Sequence, residues 1–137
     1  MSESKNTTGL KKDAGWDLGV RKTVAAPVPD VWTYLLGDGL PMWLGEIAEL
    51  PTKKGVRYRT DDGVRGTIRG YEEKKRVRLT WQPEDWPHDT TLELTLAKAG
   101  AKTTVGISHE DLADRDERRM MVAHWHRVVD SIAAHFE

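Results

Sequence analysis

Between residues 56 and 109 the chain reverses so often that only one kind of sheet is open to it. Residues 56–60 and 64–70 flank Asp61-Asp62-Gly63, a hairpin signal, and 77–82, 91–96 and 103–109 follow as further strand-like stretches. The breaks fall at 72–75, 83–88 and 98–101. Such connections are too short for the crossover of a dozen residues that parallel pairing requires. The segment reads as an antiparallel meander.

Alternation assigns the faces of these strands. Val77, Leu79 and Trp81 share one side, as do Leu92, Leu94 and Leu96, then Val105, Ile107 and His109. Arg78, Thr80, Glu93, Thr95 and Thr104 take the other. A sheet with one apolar face must cover it, and the long apolar stripe available is at the C-terminus. There Met121, Trp125, Val128 and Ile132 recur at three- and four-residue steps toward His135 and Phe136. Asp114 with Glu117 three residues on is an acidic variant of the capping box. A helix over 115–136 spans about 33 Å at ~1.5 Å per residue, enough to cross a sheet. The expected fold is α+β: a curved antiparallel sheet wrapped around a long C-terminal helix. Gly66, Gly70 and Gly106 inside strand patterns mark the bends.

The N-terminal part supplies smaller pieces. Trp16, Leu18, Val20 and Val24 alternate with Asp17, Gly19, Arg21 and Thr23, a half-buried strand. Pro29 and Asp30 suit a first helical turn, and Val31, Trp32 and Leu35 share a face, so 28–36 reads as a short helix ended by Gly37-Asp38-Gly39. Residues 40–50 are apolar but irregular, a second short helix or turn. Residues 1–14 show no periodicity and are expected as a disordered tail, leaving one domain over 15–137.

Composition removes several classes of function. With 0 Cys, disulfides, thiolate metal sites and a cysteine nucleophile are excluded. A net charge of -1 argues against a dedicated nucleic-acid binder. No apolar run approaches the ~20 residues of a membrane span and no secretory h-region is present, so a cytoplasmic protein is expected. Tryptophan is over-used, 6 against 1 Phe. Such rings fill cores and also line ligand pockets.

The segment Val24-Ala25-Ala26-Pro27-Val28-Pro29-Asp30-Val31-Trp32 resembles the opening signature of the START-like, Bet v 1-type (SRPBCC) superfamily, in the branch named after activator of Hsp90 ATPase homologues. Later pieces arrive in the family's order: Gly55-Val56-Arg57-Tyr58, then Gly66 and Leu79-Thr80-Trp81, then 103–109. His124-Trp125 with Val128-Val129 and Ile132 resembles the closing helix, although the family usually carries glycine where this chain has His124. The match runs from about Trp16 to Phe136. The resemblance implies a helix-grip fold in the order strand, one or two short helices, six strands, long helix. It also implies a cavity between sheet and helix suited to apolar or amphipathic small molecules. Members of the superfamily include lipid carriers, cyclase-like proteins and chaperone cofactors.

On this frame the expected ligand-binding residues are Trp32, Tyr58, Leu79, Leu94 and Ile107, with Met121, His124, Trp125 and Val128 from the closing helix. Trp43, Trp81 and Trp86 could rim the mouth, Trp86 from the loop 83–88. His109, at the end of an apolar strand face, is a candidate anchor or general base, and His124 a second candidate; a structural histidine is the plainer reading of His109. His124 and His126 point about 200° apart on a helix and cannot share a metal ion. No metal or other cofactor is expected. The other sheet face carries Arg57, Arg59, Arg65 and Arg69, near Lys53, Lys54, Lys74, Lys75, Arg76 and Arg78. This is either a solvated face or a dock for an acidic protein or anionic ligand. Three functions follow as expectations: a carrier of a small hydrophobic or amphipathic molecule, a protein-interaction module such as an Hsp90 cofactor, and a cyclase- or hydratase-like enzyme using a cavity histidine.

Overall fold

The computed structural model describes residues 10–11 and 15–137. Its strands are β1 (Leu10–Lys11), β2 (Gly15–Val24), β3 (Arg57–Arg59), β4 (Arg65–Glu72), β5 (Arg76–Trp81), β6 (Thr90–Ala99) and β7 (Lys102–Leu112). Two short helices, α1 (Val28–Leu35) and α2 (Leu40–Trp43), separate β2 from β3, and α3 (Arg115–His135) ends the chain. The strands form one antiparallel sheet in the order β1-β2-β7-β6-β5-β4-β3. The meander is consecutive in space, and β2 closes against its last strand with Val20 opposite Ile107. Five strands, not six, follow the short helices. Most of the tail expected at 1–14 lies outside the described residues; Leu10 and Lys11 pair with Trp16 and Gly15.

The inward faces are those the alternation assigns. Val77, Leu79, Leu94 and Val105 are sealed from solvent, and Leu92, Ile107 and His109 nearly or fully so. Two local devices extend the last hairpin beyond its sequence signal. The β6–β7 turn is Gly100-Ala101, with Gly100 at φ +65°, a value that suits glycine in a two-residue loop matched to strand twist. At the far end of β7, Asp111 adopts φ +69° and the pairing with β2 shifts between Trp16 and Leu18. The extra residue lets His109 and Leu112, three apart, both face inward.

Asp114 caps α3, accepting a hydrogen bond from the Glu117 amide at 2.8 Å. The Glu117 carboxylate in turn accepts from the Ala113 amide at 2.9 Å, so the box closes one residue before the cap. The buried face of α3 is Met121, Trp125, Val128, Val129, Ile132 and Ala133. Its cover is partial: α3 lies mainly on β2 and β7, while α1 packs on β6 and β7. The two short helices therefore share the task that the sequence assigns to α3 alone. Trp43 of α2 is buried and donates its indole N–H to the Leu35 carbonyl at 2.8 Å, locking α2 to α1. Tyr34 of α1 stacks on His135 at 3.9 Å, locking α1 to the end of α3.

Candidate functional site

At the end of the grip, where β5 stops and the chain loops to β6, four elements bring aromatic rings together. Trp81 ends β5, His109 lies in β7, Trp125 sits midway along α3, and Trp86 comes from the connecting loop. His109 is 5.2 Å from Trp81 and 5.8 Å from Trp125, both nearly edge-on. Trp86 covers it from outside, its indole 6.4 Å away and only 6° from parallel.

Trp125, His109 and Thr90 form a relay that ends on the Trp81 carbonyl, while the Trp81 indole N–H donates separately to the Leu44 carbonyl at 3.4 Å. An indole N–H can only donate, so Trp125 Nε1 at 3.0 Å fixes His109 Nδ1 as an acceptor. The imidazole proton is then on Nε2 and donates to Thr90 Oγ1 at 2.8 Å. Thr90 passes its own proton to the Trp81 carbonyl at 2.6 Å. Every donor has one acceptor, and a neutral imidazole satisfies them all. Burial pushes His109 down to about 3, with the neighbouring His124 and His88 adding to the effect. A second proton on His109 would confront the Trp125 N–H. No lone pair remains free for general-base work.

This neutrality makes the fold acid-sensitive. In the unfolded chain the imidazole titrates near 6.5, so a histidine held neutral supports stability fully above that pH and loses it as pH falls. Between pH 7 and pH 5 the loss from His109 is expected to be about 2 kcal/mol. Urea unfolding at both pH values checks it. His109→Gln, which can accept from Trp125 and donate to Thr90 but cannot titrate, should lose about 2 kcal/mol less than wild type over the same interval. Equal pH dependence in the two proteins would refute this account.

The loop over the cluster is tethered at both ends. Gln82 Nε2 donates to the Trp86 carbonyl at 2.8 Å. His88 lies between the Asp89 carbonyl, 3.0 Å from Nδ1, and the Glu117 carboxylate of α3, 3.0 Å from Nε2. Both ring nitrogens face acceptors, an arrangement that suits imidazolium. Partial burial opposes the charge on His88, yet the bonds to Glu117 and Asp89 outweigh it and raise its pKa above the usual histidine value. The latch joins the loop to the first turn of α3.

The expected site residues separate into groups. Trp81, Trp86, His109 and Trp125 meet at the cluster, and half-buried His124 touches Trp125 at 4.6 Å. Leu79, Leu94, Ile107, Met121 and Val128 belong to the shared core beneath. Trp32 packs on Tyr71, and Trp43, expected at a rim, is buried under α1. Tyr58 is also buried, its hydroxyl donating to the Thr80 carbonyl at 2.7 Å. Sequence reading missed Thr90 and His88. Thr90 had a visible signal, since it shares the inward parity of Leu92, Leu94 and Leu96. His88 had none, because its partner Glu117 is 29 residues away. Among the described residues no group of acids and histidines could hold a metal ion. Nor is any helix among them long and apolar enough to cross a membrane.

Solved structures share this architecture at low identity. CalU16 from Micromonospora echinospora is 21% identical, with a TM-score of 0.73 over 91% of this chain and 79% of its own. CV1439 from Chromobacterium violaceum is 19% identical, with a TM-score of 0.72 over 88% of this chain and 96% of its own. The Aha1 dimer from Colwellia psychrerythraea gives 19%, 0.69, 88% and 96% in the same order. No curated protein matches significantly. The family model described as activator of Hsp90 ATPase homolog 1-like protein matches residues 25–137, so the chain belongs to that family, within the START-like (SRPBCC) group.

Proposed function

We propose that the protein binds a small, flat, hydrophobic or amphipathic molecule at the aromatic end of the grip, with the loop carrying Trp86 as its door. The observation that carries this reading is the near-parallel Trp86 indole on the buried His109 imidazole. That ring comes from a loop and is half-buried, so it occupies a stacking position from outside the strands and helices. A ligand ring would take its place, resting on His109 with Trp81 and Trp125 as edge-on walls. Because the relay satisfies its own polar atoms, the walls offer ring faces and no free charge. A neutral apolar ligand fits that chemistry. His109 serves as wall and spacer, and a cyclase or hydratase mechanism based on it would lack its base.

The test uses N-phenyl-1-naphthylamine, a flat neutral fluorophore. If the door is closed most of the time, removing it raises apparent affinity by the inverse of the open fraction. Trp86→Ala is expected to bind the probe roughly tenfold or more tightly than wild type, while keeping a cooperative thermal transition. A folded Trp86→Ala that gives no probe signal would sink the proposal.

A further inference from the structure

The opposite face of the sheet carries a second feature that the aromatic cluster does not explain. A groove of about 530 Å³ runs along its β3 edge, lined by Arg57, Arg59 and Arg65, with Thr67, Thr80, Gln82 and Asp89 along its inner side. We propose that this groove is a binding site for a small molecule bearing a multiply charged oxyanion, either a phosphate ester or a polycarboxylate.

The first support is how charge is distributed on this face. Arg76 is held by Glu72 at 2.6 Å and by Glu93 at 3.4 Å. Arg78 is held by Glu93 and Glu110, each at 3.0 Å. Among the described residues, no carboxylate lies within ion-pair reach of Arg57, Arg59 or Arg65. Three arginines of this face without a carboxylate partner thus line one groove, in a chain of net charge -1.

The second support is register. Hydrogen bonds at Ile68–Val56 and Thr60–Val64 put the intervening Arg59–Arg65 pair at a non-hydrogen-bonded position. Such partners have the closer Cα spacing of ~4.5 Å. Like charges directly opposite each other weaken a sheet. The strand tolerates that arrangement at the very place where it faces a concave surface. An oxyanion between the two guanidinium groups would turn the repulsion into a pair of charge-assisted hydrogen bonds.

The rest of the groove limits the ligand's size and character. Thr80 Oγ1 accepts the Thr67 amide at 2.8 Å and keeps its own proton to donate. Asp89 bounds one end with negative charge, which directs the anionic group toward the arginines and offers an acceptor to a hydroxyl or amine on the ligand. The neighbouring strands present Glu93 and Glu110 along this face, an unfavourable track for an extended acidic polypeptide. A compact ligand avoids them.

Calorimetric titration at low ionic strength with pyrophosphate and, separately, citrate tests the site. Binding of pyrophosphate marks a phosphate-bearing ligand, and binding of citrate marks a polycarboxylate. In either case the double variant Arg59→Gln/Arg65→Gln should weaken binding at least tenfold, and Arg119→Gln, exposed on α3, should not. Without added anion the double variant should melt about 1–3 °C higher than wild type, because the like-charge pair is gone. The proposal is overturned if neither anion binds or if the double variant binds as wild type does. Binding of poly-L-glutamate alone would also overturn it, in favour of an acidic protein partner.

Discussion

Replacing Trp125 by alanine is expected to destabilise the protein by about 3–5 kcal/mol, the range for truncating a buried large aromatic side chain. Trp125 is 0% exposed and stands where α3 crosses the end of the sheet. Its ring touches Trp81 at 5.9 Å and His109 at 5.8 Å, so the cavity left behind would be walled by large flat groups that cannot collapse into it. Truncation also removes the donor to His109 Nδ1, leaving a buried acceptor unpaired. Against a typical domain stability of about 5–15 kcal/mol, such a loss leaves a marginal fold. Trp125→Phe separates the two contributions. It keeps one aromatic ring in place but removes the N–H and part of the indole, so it should lose less than the alanine variant, with about 1–3 kcal/mol of its loss from the orphaned imidazole nitrogen. Urea unfolding at pH 7 measures both. A loss under about 1 kcal/mol for Trp125→Ala would contradict the packing described here.

The contrast between Trp125 and Trp86 explains what the sequence could reveal and what it could not. Trp125 falls in a helical stripe with Met121, Val128 and Ile132, and period alone places it inside. The inward strand residues follow from alternation in the same way. Trp86 lies in a segment with no period, between Pro83 and Pro87, so nothing local determines which surface it covers. Its position depends on the Gln82 bond and on the latch from His88 to Glu117, and both depend on tertiary placement. The sharing of the sheet's cover escaped for a similar reason. Residues 40–50 are apolar without rhythm, and their packing against α1 shows only in tertiary contacts, the Trp43 indole on the Leu35 carbonyl and the Tyr34 hydroxyl on the Met42 sulfur.

The basic face shows a different limit. Sequence reading puts Arg57, Arg59, Arg65, Arg69 and Arg78 on one side of the sheet, with Arg76 nearby, but cannot say which are neutralised. Pairing across strands decides that: Arg78 stands opposite Glu93, whereas Arg59 stands opposite Arg65. His124 and Trp125, both expected among the ligand-binding residues, differ in the same way: Trp125 is sealed from solvent and His124 is half-buried. Trp125 is bonded to His109 within the aromatic cluster, whereas the Trp86 ring reaches it from the loop.

Gly66→Ala should be as damaging as the loss of Trp125, although it adds a single methyl group. Gly66 lies in β4 opposite Tyr58 of β3, and a Cβ there would collide with the Thr80 carbonyl of β5. That obstacle is backbone and cannot rotate aside. The same Cβ would come within 2.8 Å of the Tyr58 ring, which crosses the glycine to reach β5. The ladder between β4 and β5 is already irregular here: the Thr67 amide goes to Thr80 Oγ1, and the Thr80 carbonyl receives the Tyr58 hydroxyl. To admit a methyl group the two strands must part, breaking both bonds and straining the Arg65–Gln82 bridge. Overpacking alone is worth about 1–3 kcal/mol, and each lost buried hydrogen bond adds about 1 kcal/mol. The expected total is about 3–5 kcal/mol, read by urea unfolding. Gly19→Ala is the control, because a Cβ in β2 at that exposed position meets nothing within 4 Å. It should unfold within about 0.5 kcal/mol of wild type. If Gly66→Ala does so too, β4 and β5 are not in the close approach described, and the frame of the anion groove would have to be redrawn with them.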